Sequence, residues 1–476
     1  MTTAITPIQN AWSKPILQTA KEFSYTPIPS IQGKIPQGLR GTLYQNGPGR
    51  MERNGIRMGH WFDGDGAILA VNFTDAGGSA VYRYVQTKGY KEEAIANQLI
   101  YSNYGTLTPG SILNKLFKGT KNSANTSVLA LPDKLLALWE GGKPHALDLQ
   151  TLETFGEDDL NGLTDGLSYS AHYKRDAETG EIFNFGISPG LNAILHIYKS
   201  TASGKIIQKS YHKLDGVSLV HDFVFAGQYL LFFIPPLRLN LLSVMTGKSC
   251  YCDAFEWQPN RGTQILVIDR ETLKLVSRSE TEPWFQWHFS NGYVDASGTV
   301  IVDLVRYEDF QTNQFLREVA TGKTSTLAKS HLSRVYLHPQ TAKVIKIEKI
   351  CDRQCEFPTV PQQNVGKESR YTYLSTFRSQ SNITGELLNA IARYDYETDT
   401  LTIANVGENC YPSEPIYVQD RENPLQAWVI TVVYDGNEDI SQVWIYDADK
   451  LDEQPVCKLE LPGVIAHSFH GTWRQG

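Results

Sequence analysis

Residues 265–277 read ILVIDRETLKLVS: a short apolar run, a polar turn, then a second apolar run. Period-two alternation bounded by Asp, Thr, Gly and Lys turns reads as a β-hairpin. The same pattern appears as AVNFTDAGGSAVYRYV (70–85), HALDLQTLETFG (145–156) and LHIYKSTASGKIIQK (195–209). It returns as VYLHPQTAKVIKI (335–347), IARYDYETDTLTIA (391–404) and VWIYDADKLDEQPVCKLEL (443–461). Seven hairpins at intervals of about 50 to 70 residues point to radial repetition, an all-β, seven-bladed β-propeller. Each blade buries its faces against its neighbours, and ring closure protects most strand edges. The intervals exceed those of compact propeller repeats, which predicts additional loops forming a cap over one face. A two-sandwich protein gives the same strand pattern and is the alternative. No Pro/Gly/Ser-rich linker interrupts the series, so residues 36–476 are expected to form one domain. Residues 1–35 are expected to be an N-terminal extension on or near the cap.

The chain has 476 residues, 41% hydrophobic and 20% charged, ordinary values for a globular protein. With 44 basic and 51 acidic residues the net charge is −7, which argues against nucleic acid as the main partner. The opening MTTAITPIQNAW lacks the basic and apolar regions of a signal peptide, and no apolar run approaches bilayer-spanning length. The six cysteines (250, 252, 351, 355, 410 and 457) contain no CxxC and read as structural thiols of a cytoplasmic protein.

Two stretches break the hairpin pattern. In SILNKLFKGTK (111–121), Ile112, Leu113, Leu116 and Phe117 fall on one helical face, flanked by Lys115, Lys118 and Lys121. In YLLFFIPPLRLNLLSVM (229–245), Pro235 and Pro236 are expected to stop regular structure and leave Leu237, Leu239, Leu241 and Leu242 in a loop. Both are readable as ordinary core. Residues 111–121 and 234–245 are also readable as a peripheral membrane contact, apolar groups entering the acyl region while lysines meet phosphate.

Of eleven histidines, four lie in apolar or aromatic settings: His172 in SAHYK, His221 in LVHDFVF, His288 in FQWHFSN and His470 in HSFHGTW. Their separations are too large for any local metal motif. Glu140, Glu356 and Glu414 also sit beside apolar or proline residues, where a carboxylate needs a partner. In chain order these seven residues are spaced, after a first gap of 32, by 49, 67, 68, 58 and 56, which resembles the blade interval. Each blade could then send one residue to the axis, four imidazoles for a divalent metal and carboxylates to hold their second ring nitrogens. Satisfied core histidines and structural ion pairs are the alternative.

The motifs GTLYQNGPG (41–49), HWFDGDGAI (60–68), NTSVLAL (125–131), LLALWEGGKPH (135–145), SAHYKRD (170–176) and VHDF (220–223) resemble, in order, those of the carotenoid cleavage oxygenases. WHFSN (287–291), CEFP (355–358), SEPI (413–416) and HGTW (470–473) complete the series. The resemblance implies a seven-bladed propeller with a helical and loop cap over an axial Fe(2+). It implies His172, His221, His288 and His470 as metal ligands. Glu140 would pair with His221, Glu356 with His288 and Glu414 with His470, leaving His172 without a carboxylate. Thr126 matches a threonine whose methyl group crowds a vacant coordination position. Asp63 and Asp65 in FDGDG read as turn chemistry. The sequence departs from the family at Phe289, where members often carry a second histidine.

The activity so implied is addition of O2 across one double bond of a lipophilic conjugated polyene. A tunnel must then lead from a membrane-facing patch to the iron, with Trp139, Phe223, Trp287 and Phe469 as candidate lining. Cleavage of an apocarotenal at its central 15,15′ bond, giving retinal, is favoured over 9,10 cleavage. A stilbene-cleaving enzyme is expected to carry a lysine beside the first glutamate, where this chain has Trp139. A non-cleaving isomerase retaining the whole metal site, or a carotenoid-binding propeller, is the remaining alternative.

Overall fold

The computed structural model describes residues 10–108, 119–190, 192–380 and 383–476. Seven antiparallel sheets form the blades of a propeller. All seven hairpins read from sequence are the third and fourth strands of their blades, counted outward from the axis. Thr263–Asp269 with Leu275–Thr281 in the fourth blade is an example. The first-blade hairpin, Asp65–Thr74 with Gly77–Tyr84, occupies the same third and fourth places, because the innermost strand is borrowed from the end of the chain. That strand, Gly471–Gln475, pairs with Gly41–Arg50 and closes the ring.

Outer strands show the alternation that made them legible; Ile206–Lys213 is half exposed in strict turn. Second strands are buried on both faces and read as unbroken apolar runs. Tyr229–Ile234, from the stretch expected to break the pattern, is the second strand of the fourth blade. Its Leu230, Phe232 and Ile234 enter the core shared with the third blade. Its Tyr229, Leu231 and Phe233 enter the core shared with the fifth. Phe289 belongs to that second core, 5.4 Å from the Phe233 ring, so its departure from the family pattern is absorbed by interblade packing.

The cap is built from loops and short helices, including Lys88–Ala96, Leu241–Met245, Tyr251–Ala254 and Gln311–Val319. Trp12, in the N-terminal stretch, is fully buried in the cap core with Met51, Trp61, Val319, Tyr411 and Phe469. Farther along that stretch, Phe23–Ile28 and Ser30–Gly33 lie on the outer edges of the first and seventh blades, covering edges that would otherwise be open.

Three sequence expectations need correction. Pro235 and Pro236 do not leave a long loop: Leu237–Leu239 forms a strand against Phe255–Trp257, and Leu241–Met245 is helical. Leu237 is fully buried, which leaves Leu242 and Met245 as the exposed apolar groups of that stretch. Lys121 cannot meet a lipid phosphate. It is buried in an ion cluster, 2.8 Å from Asp65 and 3.0 Å from Glu93, and Arg53 is paired with both carboxylates as well. Asp65 is thus an ion-pair partner rather than a turn residue, while Asp63 does accept the Gly105 N–H and the Thr106 hydroxyl. Residues 111–118 of the predicted apolar helix lie outside the described residues. No helix among the described residues is long and apolar enough to cross a membrane.

Candidate metal centre

The innermost strand of each blade starts near the axis, and the candidate residues sit at those starts. His172 lies just before Lys174–Arg175, His221 before Val224–Ala226, His288 before Phe289–Val294 and His470 before Gly471–Gln475. Glu356 is within Cys355–Thr359, and Glu414 falls between Cys410–Pro412 and Ile416–Gln419. The second blade supplies Thr126 at the corresponding place, directly before Ser127–Ala130. Glu140 follows the next strand, Leu135–Leu138, which explains the short first gap in the series. Measured from Thr126, the first interval becomes 46, in line with the others.

The four histidines converge. His172 Nε2 is 2.9 Å from His221 Nε2, His221 Nε2 is 3.3 Å from that of His288, and His288 Nε2 is 3.0 Å from that of His470. All four ligand atoms lie within 4.8 Å of one another. Adjacent nitrogens at such distances subtend roughly right angles at a point about 2.1 Å from each, a normal metal–imidazole length. The opposite ring nitrogens face carboxylates: His288 Nδ1 donates to Glu356 at 2.5 Å and His470 Nδ1 to Glu414 at 2.9 Å, while His221 Nδ1 lies 3.1 Å from the Glu140 carboxylate. Protons held at Nδ1 leave bare lone pairs at Nε2, and lone pairs converging this closely call for a cation between them. His172 has no carboxylate partner of this kind among the described residues. Its backbone N–H is held by the Ser170 hydroxyl.

Burial, reinforced by the neighbouring imidazoles, holds His172 and His288 well below the usual histidine range, hence neutral and able to donate a lone pair. For His221 burial is the largest single effect and acts in the same direction, but Glu140, Asp222 and Glu356 together outweigh it and the net shift is upward. Burial raises Glu356 to about 7 even though the Phe357 N–H and the Tyr307 hydroxyl (2.8 Å) both donate to it.

Several supporting residues carried no sequence signal. Asp222 is the clearest. Its Oδ1 accepts the Phe223 N–H at 2.7 Å and the Lys174 ammonium at 2.9 Å, and its Oδ2 accepts the Phe289 N–H at 3.0 Å. One buried carboxylate therefore ties together the segments that carry His172, His221 and His288. Adjacency to His221 in VHDF was the one available clue. Tyr307 and Asn125 were equally silent; Asn125 accepts the Thr126 hydroxyl and donates to the carbonyls of Phe62 and Gly64.

On the cap side the centre opens into a cavity of about 390 Å³ whose lining includes Thr126, His221, His288 and His470. Its walls are aromatic and aliphatic. Trp139, Trp287 and Phe469 line it as anticipated, joined by Phe62, Phe315 and Leu387. Phe62 meets Trp287 and Phe469 edge-on at 5.4 and 5.6 Å. A Cβ at Gly141 would lie 2.9 Å from the Trp139 ring, so glycine in WEGG leaves room for that indole. Phe223 is not part of this wall; it stacks on Phe232 at 5.2 Å in the core between the third and fourth blades. Among the described residues no lysine, arginine or aspartate lines the cavity. On the other side of the centre a smaller space of about 180 Å³ touches His172, Lys174, Asp222, Ser290 and Asn291.

Residues 16–475 match the family described as Retinal pigment epithelial membrane protein. The chain is 30% identical over 477 residues to the apocarotenoid-15,15′-oxygenase of Synechocystis sp., covering 98% of this chain and 96% of that one. It is 24% identical over 469 residues to resveratrol cleavage oxygenase 1 of Aspergillus fumigatus, covering 94% and 92%. A solved structure of cobalt-substituted Synechocystis apocarotenoid oxygenase matches with a TM-score of 0.89 at 28% identity over 98% of both chains.

Proposed function

Because this chain belongs to the carotenoid cleavage oxygenase family, that of the retinal pigment epithelial membrane protein, we propose that it is an iron-dependent oxygenase cleaving a conjugated double bond. The substrate is an apocarotenoid or carotenoid, and the products are two carbonyl compounds. The 15,15′ bond of an apocarotenal, giving retinal, is the preferred target, on the strength of full-length similarity to a relative named for that reaction. The observation that carries the reading is the four-imidazole cluster at the wall of an apolar cavity.

The family is non-haem iron dependent, and His172, His221, His288 and His470 would hold the ion here. Ferrous iron supplies the activation of O2. The chain's own residues do the rest. Glu140, Glu356 and Glu414 fix the imidazole tautomers and raise their basicity. The Thr126 hydroxyl, engaged with Asn125, is withdrawn from solvent competition at the cavity floor. Trp139, Trp287, Phe62 and Phe469 present flat faces and edges that orient a polyene and exclude water.

A stilbene-type phenol is disfavoured by the cavity's lack of a described cation to hold a phenolate, with Trp139 beside Glu140 where a lysine is expected. A polyene isomerase uses the same centre and is separated by product analysis. Peripheral contact with a membrane, from the cytoplasmic side, is proposed through Leu242 and Met245, which are 71% and 56% exposed close to cavity-lining Leu239 and Tyr251. Flotation with liposomes, with both residues changed to serine as the comparison, tests that contact.

The deciding experiment is incubation of iron-loaded protein with an apocarotenal, β-carotene and resveratrol, with products identified by mass. Retinal from the apocarotenal is expected. Recovery of every polyene unbroken, whether or not its geometry has changed, defeats the cleavage reading.

A further inference from the structure

Between the second and third strands of the fourth blade the chain leaves the propeller, forms the ribbon Leu237–Leu239 with Phe255–Trp257, and returns. The excursion contains two cysteines with one residue between them. Cys250 Sγ and Cys252 Sγ are 3.3 Å apart, and both side chains are buried. A disulfide needs these sulfurs to approach by little more than about 1 Å, since the S–S bond is about 2.05 Å. The Asp253 carboxylate accepts from Cys250 Sγ at 3.0 Å. The residue between the cysteines, Tyr251, lines the cavity, its hydroxyl 3.4 Å from that of Thr120.

A metal is the competing reading of two thiols and a carboxylate within reach of each other. Two observations oppose it. Both Asp253 oxygens already carry the Arg317 guanidinium, the Nη2–Oδ2 distance being 3.1 Å. The sulfurs are also closer than the roughly 3.7 Å that tetrahedral coordination at Zn–S of about 2.3 Å sets.

We propose that Cys250 and Cys252 form a reversible thiol–disulfide site that controls entry to the cavity through Tyr251. The oxidant is of the peroxide class. Cys250 Sγ attacks the peroxide O–O bond and its thiol proton passes to the departing oxygen, giving a sulfenic acid and one water. Cys252 then displaces the hydroxyl as a second water and closes the S–S bond, so the peroxide gains the two electrons the thiols lose. The hydrogen bond between the two sulfurs holds Cys250 below the usual thiol range, consistent with Cys250 reacting first. Closure draws together the two residues flanking Tyr251. The backbone around them is anchored, Cys252 N–H on the Tyr104 carbonyl and the Ala254 carbonyl on Asn240 N–H, both at 2.9 Å or less. Movement is therefore taken up at Tyr251, which leaves the Thr120 wall for the open side, the cavity.

The gating half of this inference rests on the polyene reading of the cavity; the thiol chemistry does not. The test treats the iron-loaded protein with hydrogen peroxide, blocks residual thiols by alkylation and digests with trypsin. The peptide of residues 249–261 carries Cys250 and Cys252 and no other cysteine. It is expected to escape alkylation and to be lighter by two hydrogens, and dithiothreitol should restore both alkylation sites. In parallel, KM for an apocarotenal should rise by about threefold or more with kcat nearly constant, reversibly. Cys250→Ser and Cys252→Ser should each abolish the change. Tryptophan quenching by the apocarotenal reports entry without turnover. Full alkylation after peroxide overturns the site. A disulfide with unchanged KM and quenching, or an equal loss in Cys250→Ser, overturns the gate. Tight uptake of one Zn2+ that shields both thiols overturns both in favour of a metal.

Discussion

Asp222→Ala tests how the centre is held. The carboxylate is almost wholly buried and makes three contacts, to the N–H groups of Phe223 and Phe289 and to Lys174, whose side chain is 19% exposed. Alanine leaves two buried N–H groups without acceptors, each costing about 1–3 kcal/mol. It also strands a largely buried ammonium, and breaking such a pair costs about 3–5 kcal/mol. These contributions overlap, because the space vacated by the carboxylate admits water to all three donors. A net loss of about 3–4 kcal/mol is expected, a large share of the 5–15 kcal/mol that ordinarily stabilises a domain. Urea unfolding read by tryptophan fluorescence gives that number directly. Since the same carboxylate spans the segments bearing three of the four histidines, iron affinity should fall by about 10–100-fold, as for other supports of metal ligands. Asp222→Asn should lie between, one amide oxygen still accepting while its NH2 faces a donor. In a double-mutant cycle with Lys174→Met the two losses should be clearly non-additive. A loss below about 1 kcal/mol with iron affinity unchanged would refute the brace.

Other outcomes follow from the same geometry. His221→Ala should lose both iron, measured as metal per chain, and turnover; retained iron with full activity shows the ligand set to be wrong. Glu140→Gln, which weakens control of the His221 tautomer, should lower iron affinity by about 10–100-fold in a chelator competition while leaving the unfolding midpoint nearly constant. Lys121→Met breaks the buried cluster with Asp65 and Glu93 and should cost about 3–5 kcal/mol in urea, with turnover per bound iron preserved. Glu318 sits at about 2, because the N–H groups of Ser325 and Thr326 and the Thr326 hydroxyl outweigh the burial that would raise it. Stability from it is present above its ordinary 4.5 and is lost as pH falls toward 2, so Glu318→Gln should flatten that acid limb of the unfolding curve.

The outer hairpins were legible because half their residues meet water and write a period of two into the chain. Second strands such as Tyr229–Ile234 were not, since burial on both faces erases the period and makes a strand look like a break. The axial residues were visible through their spacing, one per blade, and the one irregular gap marked the place where Glu140 sits a strand later than its counterparts. Lys121 misled because a charge beside an apolar run looks solvated, and only tertiary structure shows its two carboxylate partners. Asp222 and Tyr307 act through backbone groups and through other side chains, so no local pattern announces them.

Ring closure by Gly471–Gln475 has a consequence for metal capture. The fourth imidazole, His470, immediately precedes that last strand, so a chain truncated before residue 470 possesses neither a sealed circle nor a full set of donors. Tight iron capture should thus report that the first and last blade segments have met, because the donor set is complete only once that strand is in place.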